Sequence, residues 1–211
     1  MTRIKTHGGL EVYQMIIKRI FDIALSFTTL VLLSPLFLLI ALLIKFDSKG
    51  PIFFVQERIG KDGRPFRLIK FRTMIVGAQN VGLGLELARN DERVTRVGRF
   101  LRHWSLDELP QFINVLKGEM SIIGPRPSLA SQVARYTPRQ RRRLEVKPGM
   151  AGWAWINGRN LIPWTERIEL DIWYVDHWSL WLDFIIFLKA IAVAIRREGL
   201  YGPDGIVHDL E

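Results

Sequence analysis

Ile23-Ala-Leu-Ser-Phe-Thr-Thr-Leu-Val-Leu-Leu-Ser-Pro-Leu-Phe-Leu-Leu-Ile-Ala-Leu-Leu-Ile44 carries no formal charge, and its reading decides that of the rest of the chain. A helix needs about 20 mostly apolar residues to cross the hydrocarbon of a bilayer. This run is long enough, and Ser26, Thr28, Thr29 and Ser34 are too few to make the polar stripe of a buried core helix. A basic pair, Lys18-Arg19, precedes it, as in a signal peptide. The apolar run is too long for one, however, and no small-x-small site follows it, so the segment is read as retained.

Ser34-Pro35 divides the run. Proline lacks a backbone donor and clashes with the carbonyl four residues earlier, which kinks or breaks a helix. The outcome is either a bent helix that spans or a helix-break-helix hairpin that returns to the face it entered. Arg3, Lys5, Lys18 and Arg19 lie on one flank, and Lys45, Lys49, Arg58 and Lys61 on the other. Cationic residues stay on the cytoplasmic side. Both flanks satisfy that preference only in the hairpin, which is therefore the expected form.

Outward from this segment, the 211 residues suffice for one compact body and leave little for a second. The expected division is a lead-in over 1–19, a re-entrant membrane helix over 20–45 and a cytoplasmic catalytic body over 46–211. With no cysteine, disulfides and thiolate metal sites are excluded. The four histidines are scattered, and no phosphate-binding or dinucleotide glycine loop is present. The net charge of +9 fits nucleic acid, an anionic lipid surface or a phosphate-bearing substrate equally well.

Pro51 to Met74 predicts a β-hairpin, with Phe53-Phe54-Val55 and Phe66 to Phe71 flanking the turn Gly60-Lys61-Asp62-Gly63. Residues 75–90 read as a loop or frayed helix. Thr137-Pro138 predicts the start of a short basic helix with Arg139, Arg141, Arg142 and Arg143, ended by Lys147-Pro148-Gly149. Trp164 to Ile195 reads as one broken helix or two. Seven tryptophans beside that basic helix suggest amphipathic helices lying in a membrane–water interface. The expected fold class is mainly α with a small β-hairpin: a monotopic membrane protein with a re-entrant helix-break-helix and interfacial amphipathic helices.

The candidate chemistry centres on Ser105-Leu-Asp-Glu-Leu-Pro-Gln. Proline belongs in a first turn, so Pro110 predicts a helix start near Leu106 or Asp107. Carboxylates there are favoured by the free N–H groups. Such a group can be a nucleophile toward phosphorus or a ligand for Mg²⁺, though acidic residues at helix starts are also common caps. Nearby phosphate-binding candidates are Lys70 and Arg72 on one face of a predicted strand, Arg126 in the stiff Gly124-Pro125-Arg126-Pro127, and the turn Asn157-Gly158-Arg159-Asn160.

Taken in order, Lys18-Arg19 with Asp22, Ser34-Pro35, Lys70-Phe-Arg-Thr-Met74, Ser105 to Gln111, Asn114-Val-Leu-Lys-Gly-Glu-Met-Ser121, Gly124 to Pro127, Lys147-Pro-Gly149 and Asn157 to Asn160 strongly resemble the bacterial sugar transferase family, the small monotopic phosphoglycosyl transferases. The resemblance runs from about Lys18 to Ile195. It implies transfer of a sugar-1-phosphate from a UDP-sugar to undecaprenyl phosphate, with release of UMP, at the cytoplasmic face of the bacterial inner membrane. This would be the first membrane step of surface glycan synthesis. It implies that Asp107 attacks the β-phosphorus and forms a covalent phosphosugar ester, and that Glu108 orients Asp107 or handles a proton. Mg²⁺ would be held at Asp107, while Lys70, Arg72, Arg126 and Arg159 would bind substrate phosphates. Asp183 matches a carboxylate of the family's C-terminal helix and is counted with the substrate-binding residues, and the family's re-entrant helix breaks at Ser34-Pro35. The chain departs from the pattern at Ser128, Met150-Ala151 and Trp155, none of which is one of these groups.

A non-catalytic membrane-surface adaptor would also explain the anchor and the charge, but not Asp107-Glu108 among these motifs. Nucleic-acid binding would need no anchor and is set aside. A homo-oligomer is left open.

Overall fold

The computed structural model describes residues 8–84, 86–196, 199 and 201–207, with side chains from Val12 onward. Helices α1 (Gly8–Leu32) and α2 (Ser34–Asp47) meet at Leu33, where the axis bends by 61°. Pro35 is the cause, since its ring displaces the Val31 carbonyl from the helical ladder. The Ser34 hydroxyl donates to that carbonyl at 2.8 Å, and the ladder resumes with Phe37 N–H to the Leu33 carbonyl at 2.9 Å. Among the described residues no single helix is long and apolar enough to cross a membrane, whereas the bent pair together has the length and composition. Phe27, Val31, Leu38, Leu42 and Phe46 stand exposed along it.

The lead-in expected over 1–19 is helical from Gly8, and Arg3 and Lys5 lie outside the described residues. α1 extends this far because its polar residues dock. Arg19 donates to the Val115 and Leu116 carbonyls at 2.6 and 2.8 Å. Asp22 accepts from Ser121 Oγ and Ile122 N–H.

Strands β1 (Phe53–Ile59) and β2 (Pro65–Phe71) form the expected antiparallel hairpin, Phe53 opposite Phe71. Its turn works because Asp62 and Gly63 take left-handed backbone, φ 57° and 75°. Residues 75–90 form a run of turns ending in β3 (Leu87–Ala88), which pairs with the C-terminal β6 (Ile206–Val207). α3 (Arg96–His103) and α4 (Gln111–Lys117) follow, then β4 (Ser121–Ile123), α5 (Ala130–Ala134), β5 (Gly149–Ala151) parallel to β4, and α6 (Trp153–Ile156). The tail is two helices, α7 (Trp164–His177) and α8 (Leu180–Arg196). Among the described residues the architecture is mainly helical with three two-stranded sheets.

One core joins β2, α4, β4, α7 and α8 through Leu68, Val115, Met120, Tyr174 and Ile186. A second joins α2 to β2 and α3 through Ile40, Ile44, Phe71 and Leu101. The basic helix expected after Thr137 is a 3₁₀ segment, Gln140–Glu145, in which Arg141 is exposed while the neighbouring arginines are paired. Arg139 pairs with Glu169, Arg142 with Asp176 and Arg143 with Asp171, so it is bound to α7. The outward apolar face is on α8, where Trp181, Phe184, Leu188, Ile191 and Ile195 are exposed.

Candidate active site

Asp107 and Glu108 sit on a 3₁₀ turn, Leu106–Glu108, entered through Ser105 at φ 54°. This corrects the expected helix start. α4 begins only at Gln111, with Pro110 as its cap, so the carboxylates precede the helix and owe little to its end. The turn faces as it does because Leu106 and Leu109 pack into the α2–β2–α3 core, which turns the acidic pair between them toward a cavity. Asn114 fixes the turn's distance from β2. Its side chain accepts from Ile69 N–H at 3.1 Å and donates to the Arg67 carbonyl and to Glu119, both at 2.7 Å. The register of the neighbouring Lys70 is thereby set.

The two carboxylates are treated differently. Glu108 Oε1 accepts from Lys70 Nζ at 2.7 Å and from Arg126 at 2.9 Å. Burial pushes the Glu108 carboxyl up, but the charges and hydrogen bonds of Arg126 and Lys70 outweigh it and hold the group well below the usual carboxylate range. Asp107, 8% exposed, has no hydrogen bond or ion pair among the described residues. Burial raises its carboxyl, and the Glu108 charge adds to this while Lys70, Arg102 and Arg126 pull against it. Burial likewise lowers the Lys70 ammonium.

Arg126 is held in place by close backbone packing. A Cβ on Gly124 would stand 2.5 Å from the Lys147 carbonyl, so only glycine lets β4 run this near the β5 entry. The Gly149 N–H then binds the Pro125 carbonyl at 2.8 Å. Behind it Arg143, 4% exposed, donates to the Arg126 carbonyl, Ser128, Tyr136 and Asp171. Arg159 reaches the cavity from a left-handed position, φ 51°, with its guanidinium 4.8 Å from the Trp155 ring centre. Its Nη1 is buried with no partner, and burial lowers the group to about 10. A buried arginine with an unmet donor suits an anionic ligand.

The cavity encloses about 1310 Å³ and brings together Asp107, Glu108, Lys70, Arg126 and Arg159. Two sequence candidates are placed otherwise. Arg72 lies past the end of β2 on the cavity wall, yet its guanidinium binds the Ser48 and Lys49 carbonyls at 2.9 and 2.5 Å, closing the end of α2. Asp183 is outside the cavity. It accepts from Lys18, Tyr174 and Trp178 and ties α1 to α7 and α8. Sequence reasoning missed Arg143 and Asp171 as a buried pair, because each looks like one charge among many on an amphipathic segment. It also missed Arg99 and Arg102, which line the cavity from α3.

No group of three or more His, Asp or Glu side chains suited to a metal occurs among the described residues. Mg²⁺ is commonly held by one or two carboxylates together with substrate phosphates. The unpaired Asp107 fits that mode, whereas the described residues offer no site made of protein ligands alone.

Residues 13–197 match the family model described as Bacterial sugar transferase. The chain is 44% identical over 186 residues to the uncharacterized sugar transferase EpsL of Bacillus subtilis, with 88% of this chain and 91% of that protein covered. It is 47% identical over 193 residues to the UDP-glucose:undecaprenyl-phosphate glucose-1-phosphate transferase of Klebsiella pneumoniae, covering 87% of this chain. It is 40% identical over 199 residues to the undecaprenyl-phosphate galactose phosphotransferase of Salmonella typhimurium, covering 88% of this chain. The chain spans only 41% and 42% of the length of these last two relatives.

Proposed function

The chain belongs to the bacterial sugar transferase family, and on that premise we propose that it transfers a sugar-1-phosphate from a UDP-sugar to undecaprenyl phosphate through an ester on Asp107. One observation carries this reading: a buried, unpaired Asp107 carboxylate beside a Glu108 that holds both neighbouring cations. A buried carboxylate without protein partners in a cationic cavity is a poor stabilising element and a good nucleophile.

In the first step an Asp107 oxygen attacks the β-phosphorus. The bond from that phosphorus to the oxygen bridging the α-phosphate breaks, and UMP leaves with the electron pair. In the second step an oxygen of the lipid phosphate attacks the same phosphorus, and the bond to Asp107 breaks, which regenerates the carboxylate. Glu108 keeps Lys70 and Arg126 aimed at the transferring phosphoryl group, where negative charge develops. The unmet Arg159 donor binds a phosphate oxygen. Asp107 would hold Mg²⁺ together with the donor's own phosphates, and the ion would supply charge neutralisation there.

The bent pair α1–α2 is proposed to enter and leave the cytoplasmic face of the inner membrane, with α8 lying on the anionic headgroups. The cationic residues on both flanks and the exposed apolar faces of α2 and α8 support this. It would hold the cavity where a soluble nucleotide sugar and a lipid phosphate both reach Asp107.

The test is UMP release from a panel of UDP-sugars by the full chain in detergent, with and without undecaprenyl phosphate and Mg²⁺. The expected result is one UMP per enzyme without acceptor and steady turnover with it. Release only in the presence of acceptor, with no sugar-phosphate on the protein by mass spectrometry, would refute the two-step route. A non-catalytic adaptor predicts no release at all.

A further inference from the structure

The cavity is lined by cations of two kinds. Lys70 and Arg126 are engaged by Glu108, and Arg159 lies over Trp155. Arg99 and Arg102 come from α3 and are barely engaged. Arg99 reaches the Val94 carbonyl at 3.3 Å and Arg102 reaches Thr73 Oγ1 at 3.3 Å, both at the long limit of a hydrogen bond. Arg72 differs, since its fork is already on two carbonyls.

α3 is also fixed to the end of the bent pair. Val97 and Leu101 pack on Ile40 and Ile44 of α2, and Asp47 at the end of α2 accepts from Val97 N–H at 2.9 Å. A Cβ on Gly98 would lie 2.0 Å from the Thr73 carbonyl, so α3 is pressed against the residues that follow β2. Phe100 on α3 and Trp104 at its cap are 56% and 44% exposed, and Phe46 near the end of α2 is exposed as well. The cavity rim on this side is apolar and open, with Val55, Ile75 and Val76 at 50%, 45% and 65% exposure. Val76 touches the Gly50 position just past α2.

We propose that Arg99 and Arg102 form the subsite for the phosphate of the lipid acceptor, with Val55, Ile75 and Val76 receiving the first part of its apolar chain. The inference rests on the transfer reading above and adds to it the place of the second substrate. A phosphate tethered to a chain in the bilayer cannot travel far from headgroup level, so it meets the cavity cations joined to the membrane pair. Both the departing UMP and the arriving lipid phosphate approach the phosphorus from the side opposite Asp107. The two anions therefore share one reacting position, and what separates them is the direction of the remainder. The nucleotide extends toward Arg126 and Arg159, the lipid toward α3 and α2.

The experiment measures the two half-reactions separately in the full-length protein. Single-turnover UMP release without acceptor reports the first, and transfer from the loaded enzyme to undecaprenyl phosphate reports the second. Arg102→Gln is expected to lower the second-step kcat/KM by about tenfold or more beyond its effect on the first, as for loss of a charge-assisted hydrogen bond, with part restored in Arg102→Lys. Val76→Asp is expected to raise KM for the long-chain acceptor more than for a short-chain prenyl phosphate. Equal loss in both half-reactions would overturn the subsite. So would a loss that follows the phosphatidylglycerol content of mixed micelles instead of acceptor concentration, since the pair would then bind bystander lipid. Absence of UMP release from the unsubstituted protein would instead refute the transfer reading, and the subsite with it.

Discussion

Asp107 and Asp171 are both nearly buried, at 8% and 3% exposure, and burial raises both carboxyls. They differ in what surrounds the charge. Asp171 accepts from Arg143 at 2.5 Å, and the other Arg143 donors reach Ser128, Tyr136 and the Arg126 carbonyl. Asp107 has no such partner, because the adjacent Glu108 holds Lys70 and Arg126. A buried charge that is paired ties elements together; here Asp171 joins α7 to the 3₁₀ segment and to the chain carrying Arg126. A buried charge left unpaired beside a cavity weakens the fold and is retained for a ligand.

Exchange of each carboxylate for its amide should therefore separate the two. Asp107→Asn is expected to lose roughly a thousandfold or more in UMP release, as for removal of a covalent nucleophile, with unchanged or slightly raised melting temperature. Asp171→Asn should keep measurable turnover and melt lower. The reverse pattern would exchange the two roles.

The next largest effect is on stability. Arg143→Met leaves Asp171 buried without its cation and should cost about 3–5 kcal/mol in chemical denaturation. The pH dependence has a definite sign. Asp171 is raised by burial from 3.8 to about 6, Arg143 only partly opposing this, so the folded state favours the neutral acid. Its contribution to stability is full below about pH 4 and is lost as pH rises through about 6. Loss of Arg143 raises the group further, so the Arg143→Met penalty should be greater at pH 7 than at pH 5. A penalty independent of pH would mean that Arg143 acts through its contacts with Ser128, Tyr136, Trp164 and the Arg126 carbonyl and not through the Asp171 charge.

Glu108→Gln should fall between a structural and a chemical effect. It removes the charge that aims Lys70 and Arg126, and roughly a hundredfold loss in the first half-reaction is expected, since misplaced cations stabilise the transition state poorly. A larger loss than in Asp107→Asn would move the nucleophile to Glu108.

The bend at Ser34-Pro35, the β1–β2 hairpin and the tail helices were legible in the sequence because proline, turn glycines and apolar periodicity act locally. Asp107, Glu108, Lys70, Arg126 and Arg159 were named from motifs, and they converge only through backbone contacts far apart in sequence, such as Gly124 on Lys147. Arg72 and Asp183 show the limit. Each is a charged residue in a motif, and each is bound to the carbonyls or donors of a helix junction that only the fold brings near. Arg139, Arg142 and Arg143 misled in the same way, because their acidic partners lie on α7, some thirty residues later.

The smallest expected effect bears most directly on the unpaired carboxylate. Asp107 must be ionised to attack phosphorus, so the rate of UMP release should fall as pH drops through its folded-state pKa, which lies above the ordinary 3.8. Burial is the main cause of that elevation, and Lys70 is the largest opposing influence. Lys70→Met should therefore move the acid limb of the single-turnover profile to higher pH, as for loss of a nearby cation. Glu108 stays ionised in this variant because Arg126 still binds it, so its charge continues to raise Asp107. Asp171→Asn should leave the limb nearly where it is, since the largest influences on Asp107 are burial, Lys70, Glu108, Arg102 and Arg126. A limb that moves with Asp171 and not with Lys70 would show that the profile follows the fold and not the nucleophile.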